Sequence, residues 1–147
     1  MTTMVQCDML GNFPSWSSLP DLGLYMAQVM TLMERLFCGM PGMGAITKSM
    51  VNNYVKAVQI RRPSGKKYDR DQLAQLIMIT VLKQALTMEE IAKVLNLLCK
   101  DGTENGYMRF CETVLSCEGC RHEQDAVQAA ILAAVCVMRA KACLASF

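Results

Sequence analysis

The sequence predicts a mainly α-helical fold carrying one small β-hairpin. Three observations carry that expectation. Apolar residues recur at three- and four-residue spacing through most of the chain. Polar residues suited to capping precede several of those runs. One Pro63-Ser64-Gly65 turn sits between short extended flanks, the pattern of a hairpin tip. Of the 147 residues 52% are apolar, enough for a core without staples, and the 19% charged content is not that of a disordered chain.

In chain order, residues 1–16 read as a tail whose end is pinned to the core by Phe13, Pro14 and Trp16. Ser18 with Asp21 three residues on has the form of a capping box. The helix expected after it aligns Leu22, Tyr25, Met26, Val29, Met33 and Leu36 on one core-facing stripe. The Gly/Pro loop from Gly39 to Gly44 ends that helix. Thr47 caps a short helix with Met50, Val51, Tyr54 and Val58 inward and Lys48, Asn52 and Lys56 outward. Gln59 to Tyr68 forms the hairpin.

Asp69 with Gln72 gives a second capping signal. The helix behind it, with Leu73, Leu76, Ile77, Ile79, Val81 and Leu82, is apolar on most sides and belongs at the centre of the core. Thr87 with Glu90 is a third capping box, followed by Ile91, Val94, Leu95 and Leu98. Asp101 to Gly106 reads as a loop and Tyr107 to Leu115 as a short helix. The last helix runs from roughly Glu123 to Ala145. It has no charged residue from Ala126 to Met138, so it needs burial on several sides, within the chain or against a partner subunit.

The uncharged run is too short to span a bilayer, and no basic segment followed by an apolar block opens the chain. A cytoplasmic protein without membrane contact is expected, and its eight cysteines read as reduced thiols. Charge is uneven. Lys48, Lys56, Arg61, Arg62, Lys66, Lys67 and Arg70 stand against Asp69 alone, giving +6 between Ala45 and Arg70. The whole chain carries +2, so the remainder sums to −4. A concentrated basic stretch on a nearly neutral chain fits a polyanion partner, or else a merely solvated loop.

The middle of the chain resembles a known reader of DNA. Asn53-Tyr54-Val55-Lys56, Arg62-Pro63, Lys66-Lys67-Tyr68, the Leu73, Leu76 and Ile79 repeat, and Leu86-Thr87-Met88-Glu89-Glu90-Ile91 are similar to the winged helix-turn-helix of MerR-type transcription regulators. The spacing fits from Asn53 to Ile91. It departs where Val58-Gln59 replaces Gly-Leu, where Asn52 replaces Arg, and where Ala85 replaces Gly. A wider pattern, Trp16-Ser17-Ser18-Leu19-Pro20-Asp21, Leu24-Tyr25 and Met50 to Lys56, resembles an uncharacterised family of Gram-positive bacteria catalogued as a domain of unknown function. The MerR resemblance implies a winged helix-turn-helix region over residues 17–98. Residues 99–147 are then a helical segment that completes the core or dimerises.

From that reading follows an expected transcription regulator that binds duplex DNA sequence-specifically. Lys48, Asn52, Asn53, Lys56, Arg61, Arg62, Lys66 and Lys67 are the candidate contacts. Asparagine can pair bidentately with adenine in the major groove, and the cations meet phosphates. Tyr54 and Tyr68 read as core supports of the hairpin. The alternatives are a winged-helix module that binds protein and no DNA, and a metal or thiol sensor. The sensor would use Cys111, Cys117, Cys120 and His122, a soft donor set suited to zinc; no other cofactor is expected. Catalysis is not expected. The chain holds one histidine and no phosphate-binding glycine loop, and the pairs Asp69/Asp71 and Glu89/Glu90 sit at helix starts, where the dipole accounts for them.

Overall fold

The computed structural model describes residues 14–37, 45–57, 67–115 and 123–147. They form six helices: α1 (Met26–Phe37), α2 (Lys48–Ala57), α3 (Arg70–Leu82), α4 (Met88–Leu98), α5 (Thr103–Leu115) and α6 (Glu123–Leu144). Among the described residues a 3-10 turn, Trp16–Ser18, precedes them. The expectation of a mainly helical chain holds.

Two predicted capping boxes are present in full. The Asp69 carboxylate accepts from the Gln72 N–H, and the Gln72 side chain accepts from the Asp69 N–H. Thr87 and Glu90 make the same reciprocal pair at the start of α4. Each closes orphan donors of a first turn, which fixes where the helix begins. The Thr47 hydroxyl accepts from the Met50 N–H and sets the start of α2.

α3 is the central element. Its Leu73, Ala74, Leu76, Ile77, Met78 and Ile79 are all fully buried. α2, α4 and α5 pack around it. Thr80, buried with them, donates its hydroxyl hydrogen to the Leu76 carbonyl and so needs no outside partner. α1 adds Val29, Met33 and Phe37 to the same core, α2 adds Val51, Tyr54 and Val55, α4 adds Ile91 and Leu95, and α5 adds Tyr107, Phe110 and Val114.

The start of the first helix differs from the sequence reading. Ser18 does not cap a helix with Asp21; it ends the 3-10 turn, its hydroxyl within hydrogen-bond distance of that of Ser15. The helix opens five residues later than Asp21, at Met26, with the Gln28 side chain accepting from the Tyr25 N–H. Leu22 and Tyr25 consequently leave the core stripe and are exposed. Long-range pairing overrides the local signal. Leu24 and Tyr68 exchange both backbone hydrogen bonds, 2.9 and 2.7 Å, as an antiparallel bridge, which keeps the chain extended through Leu24. Tyr68 is buried beneath it.

That bridge is also what stands at the end of the predicted hairpin. Among the described residues there is no strand, and Tyr68 pairs with Leu24. Residues 58–66, which hold the rest of the predicted hairpin, lie outside the described residues.

α5 begins four residues before its predicted start. Asn105 and Gly106 read as breakers, yet the Gly106 N–H donates to the Gly102 carbonyl and Gly102 takes a positive φ of 107° just ahead of the helix. Glycine at 106 serves packing. A Cβ there would meet Cys99 Sγ at 2.7 Å and the Leu98 carbonyl oxygen at 3.0 Å, so only glycine lets α5 lie this close to the end of α4.

The front of the described chain is held as expected for Pro14 and Trp16; Phe13 lies outside the described residues. The Tyr107 hydroxyl donates to the Pro14 carbonyl at 2.7 Å, and the Trp16 ring lies 6.1 Å from that of Tyr107. The far end of α6 is pinned to α4. Lys141 Nζ donates to Glu90 Oε1 at 2.7 Å, Lys93 Nζ donates to the Leu144 carbonyl, and Leu144 is buried. Among the described residues no helix is long and apolar enough to cross a membrane.

Candidate nucleic-acid interface

α2 is a ten-residue helix with two opposed faces. Val51, Tyr54 and Val55 are buried, and α3 and α4 lie against the helix. Burial raises the Tyr54 hydroxyl pKa, as it does that of Tyr68, so both rings act as neutral core supports. Lys48, Asn52, Asn53 and Lys56 are all exposed. At 100° per residue these four positions span one continuous polar arc. The helix contains no acidic residue, so nothing on it offsets the two cations.

Ser49 lies on the same exposed arc and was not among the residues singled out from sequence. The i, i+1, i+4, i+5, i+8 pattern of Lys48, Ser49, Asn52, Asn53 and Lys56 carries that signal once the helix start at Thr47 is fixed.

Lys67 is exposed beside the Leu24–Tyr68 bridge. Its Nζ lies 5.2 Å from the centre of the Tyr25 ring, a cation–π distance that holds the ammonium on the surface. Gly23 gives the stem its room, since a Cβ there would stand 2.9 Å from Lys67 Cβ. Arg61, Arg62 and Lys66 lie outside the described residues. Arg70 contributes to the basic count but is engaged elsewhere. Its guanidinium stacks over Trp16 at 5.6 Å and reaches the Asp21 carboxylate at 3.8 Å.

Residues 14–113 match a family described as a domain of unknown function, DUF1836. The chain belongs to that family. No curated protein and no solved structure matches it. The DUF1836 region takes in α1 to α4 and all but the last two residues of α5, and so contains the whole polar face of α2; α6 lies beyond it.

Of the proposed zinc ligands in this DUF1836 protein, Cys111 is described. It sits half-buried on α5 beside Tyr107. Burial pushes its thiol pKa up, and the Tyr107 hydroxyl offsets part of that rise. Cys117, Cys120 and His122 lie outside the described residues. Among the described residues no three His, Cys, Asp or Glu side chains gather to hold a metal ion.

Proposed function

We propose that this DUF1836 protein binds duplex DNA sequence-specifically, as a transcription regulator of MerR-like winged helix-turn-helix type, with α2 as the reading helix. One observation supports this most directly: the exposed face of α2 presents two lysines and two asparagines and no acid. Lys48 stands at the first helical position, where the helix dipole opposes a cation. A phosphate at that end reverses the sign, since free backbone N–H groups and the ammonium both favour it. Asn52, between the two lysines on the arc, is placed to read an adenine edge while they hold the backbone. Lys67, with Arg61, Arg62 and Lys66 on the preceding segment, supplies the wing contacts in this reading.

The test is binding to a random-sequence duplex pool across a salt series. Enrichment of one motif is expected. Lys48→Ala/Lys56→Ala should weaken binding to all sequences and flatten the log-log salt slope by about 0.9 for each phosphate left without its lysine. Lys66→Ala/Lys67→Ala should act the same way. Asn52→Ala should instead relax the preference at one position, by about 1–3 kcal/mol. Absence of binding at low salt overturns the proposal and turns the polar face of α2 toward a protein partner.

A further inference from the structure

The bridge between Leu24 and Tyr68 sets more than the backbone. In antiparallel register it puts Tyr25 opposite Lys67. Side chains alternate across such a pair. Tyr68 turns into the core, and Tyr25 and Lys67 turn out to solvent, Tyr25 at 52% exposure. The root of the Tyr25 ring is fixed. Its N–H donates to the Gln28 side chain, and its carbonyl accepts from the Gln28 and Val29 N–H groups at the start of α1. The Lys67 side chain lies along this segment. It passes Gly23 so closely that a Cβ there would stand 2.9 Å from Lys67 Cβ and 3.1 Å from its Cδ. Its Nζ ends 5.2 Å from the centre of the Tyr25 ring.

Among the described residues no carboxylate pairs with that ammonium. Asp21 reaches Arg70, and Asp69 accepts the Gln72 N–H in the α3 cap. A carboxylate would hold the ammonium and cancel its charge. An aromatic ring holds it and leaves the charge whole. A lysine stem already held along its length also gives up less freedom when its ammonium meets a ligand. A fixed, uncancelled cation on an exposed edge suits an anion that is itself fixed in place, as each phosphate of a duplex is. We propose that Tyr25 is a positioning residue: its ring holds the Lys67 ammonium in place for one phosphate of a duplex DNA backbone. This rests on the DNA-binding reading and extends it to the segment ahead of α1. The ring carries the effect, and the hydroxyl is not needed for it.

The test is a double-mutant cycle on the full chain, read as affinity for duplex DNA at low salt. Lys67→Ala alone should weaken binding and flatten the log-log salt slope by about 0.9. Tyr25→Leu should weaken binding about two- to fivefold, the range of a cation–π contact at an exposed site. In the Lys67→Ala background it should change nothing. Tyr25→Phe keeps the ring and should bind as wild type does. Proton NMR gives a readout without DNA. The Lys67 ε-methylene protons should be shifted upfield by the ring in wild type and in Tyr25→Phe, and should return to ordinary lysine positions in Tyr25→Leu. Equal losses from Tyr25→Leu with and without Lys67 overturn the proposal, and so does a Tyr25→Phe that binds as poorly as Tyr25→Leu. A wild type that binds duplex while Lys67→Ala binds equally well overturns it too, and leaves the reading of α2 standing. A wild type that binds no duplex at low salt overturns the DNA reading, and this role of Tyr25 with it, even where the upfield shift is present.

Discussion

α3 and α6 are both apolar almost all the way round, and the molecule treats them in opposite ways. α3 has six core residues without solvent contact, enclosed by α2, α4 and α5. α6 touches the rest of the fold through α4, near its C-terminal end, and leaves five large apolar side chains exposed. Composition does not separate them. What separates them is position: α3 lies inside the DUF1836 region, among α2, α4 and α5, whereas α6 follows that region and, among the described residues, packs chiefly on α4. An apolar helix thus signals a demand for cover, and the surrounding chain decides whether the cover is internal.

The comparison is broken most directly by truncating each helix. Ile77→Ala in α3 should lower the unfolding free energy by about 2–5 kcal/mol, the usual cost of a cavity at a fully enclosed site. Ile131→Ala in α6, measured by denaturant unfolding at high dilution, should stay within about 0.5 kcal/mol of wild type. Equal losses at the two sites would mean that α6 is covered by its own chain.

The next effect concerns the helices that enclose α3. Gly106→Ala places a methyl group against Cys99 Sγ and the Leu98 and Cys99 backbone, where little can yield. It should cost about 1–3 kcal/mol in thermal or chemical unfolding by prising α5 from α4. A neutral Gly106→Ala would show that α5 can withdraw from α4 without cost. Thr87→Ala comes below that, at about 1 kcal/mol, because it removes one half of the α4 capping box. Its effect should appear in α4 first, as faster amide exchange over the first turn.

Much of this was legible in the sequence because it is local. The boxes at Asp69–Gln72 and Thr87–Glu90, the Thr47 cap and the all-round apolar run of α3 need only neighbours within a turn or two. The polar arc of α2 followed from the same spacing, with Ser49 alone overlooked. What the sequence hid was set by distant partners. The Ser18–Asp21 signal lost to the pairing of Leu24 with Tyr68, more than forty residues away along the chain. Gly106 looked like a loop residue because its reason, the approach of Cys99, lies on another helix. The exposure of α6 was hidden for the same cause, since no local pattern states that a neighbour is missing.

The smallest expected effect falls on the pin between α4 and α6. Glu90 Oε1 accepts from the Thr87 N–H at 2.9 Å and from Lys141 Nζ at 2.7 Å. These partners, Lys141 foremost, hold its carboxyl pKa down at about 2, against an ordinary value near 4.5. The folded-state value is depressed, so the stabilisation is fully present above the ordinary value and fades as pH falls from there toward 2. Because one oxygen serves both partners, acid should loosen the start of α4 and the end of α6 together. Amide exchange over residues 88–91 and 141–147 should therefore accelerate in the same pH interval, with α3 unaffected. Glu90→Gln keeps an acceptor for Thr87 and removes the charge that holds Lys141. It should leave the α4 signal flat with pH and the α6 end loose at every pH. If residues 141–147 stay protected in Glu90→Gln, then Leu144 and the Lys93 contact are sufficient to seat the helix, and the charge at Glu90 belongs to the α4 cap alone.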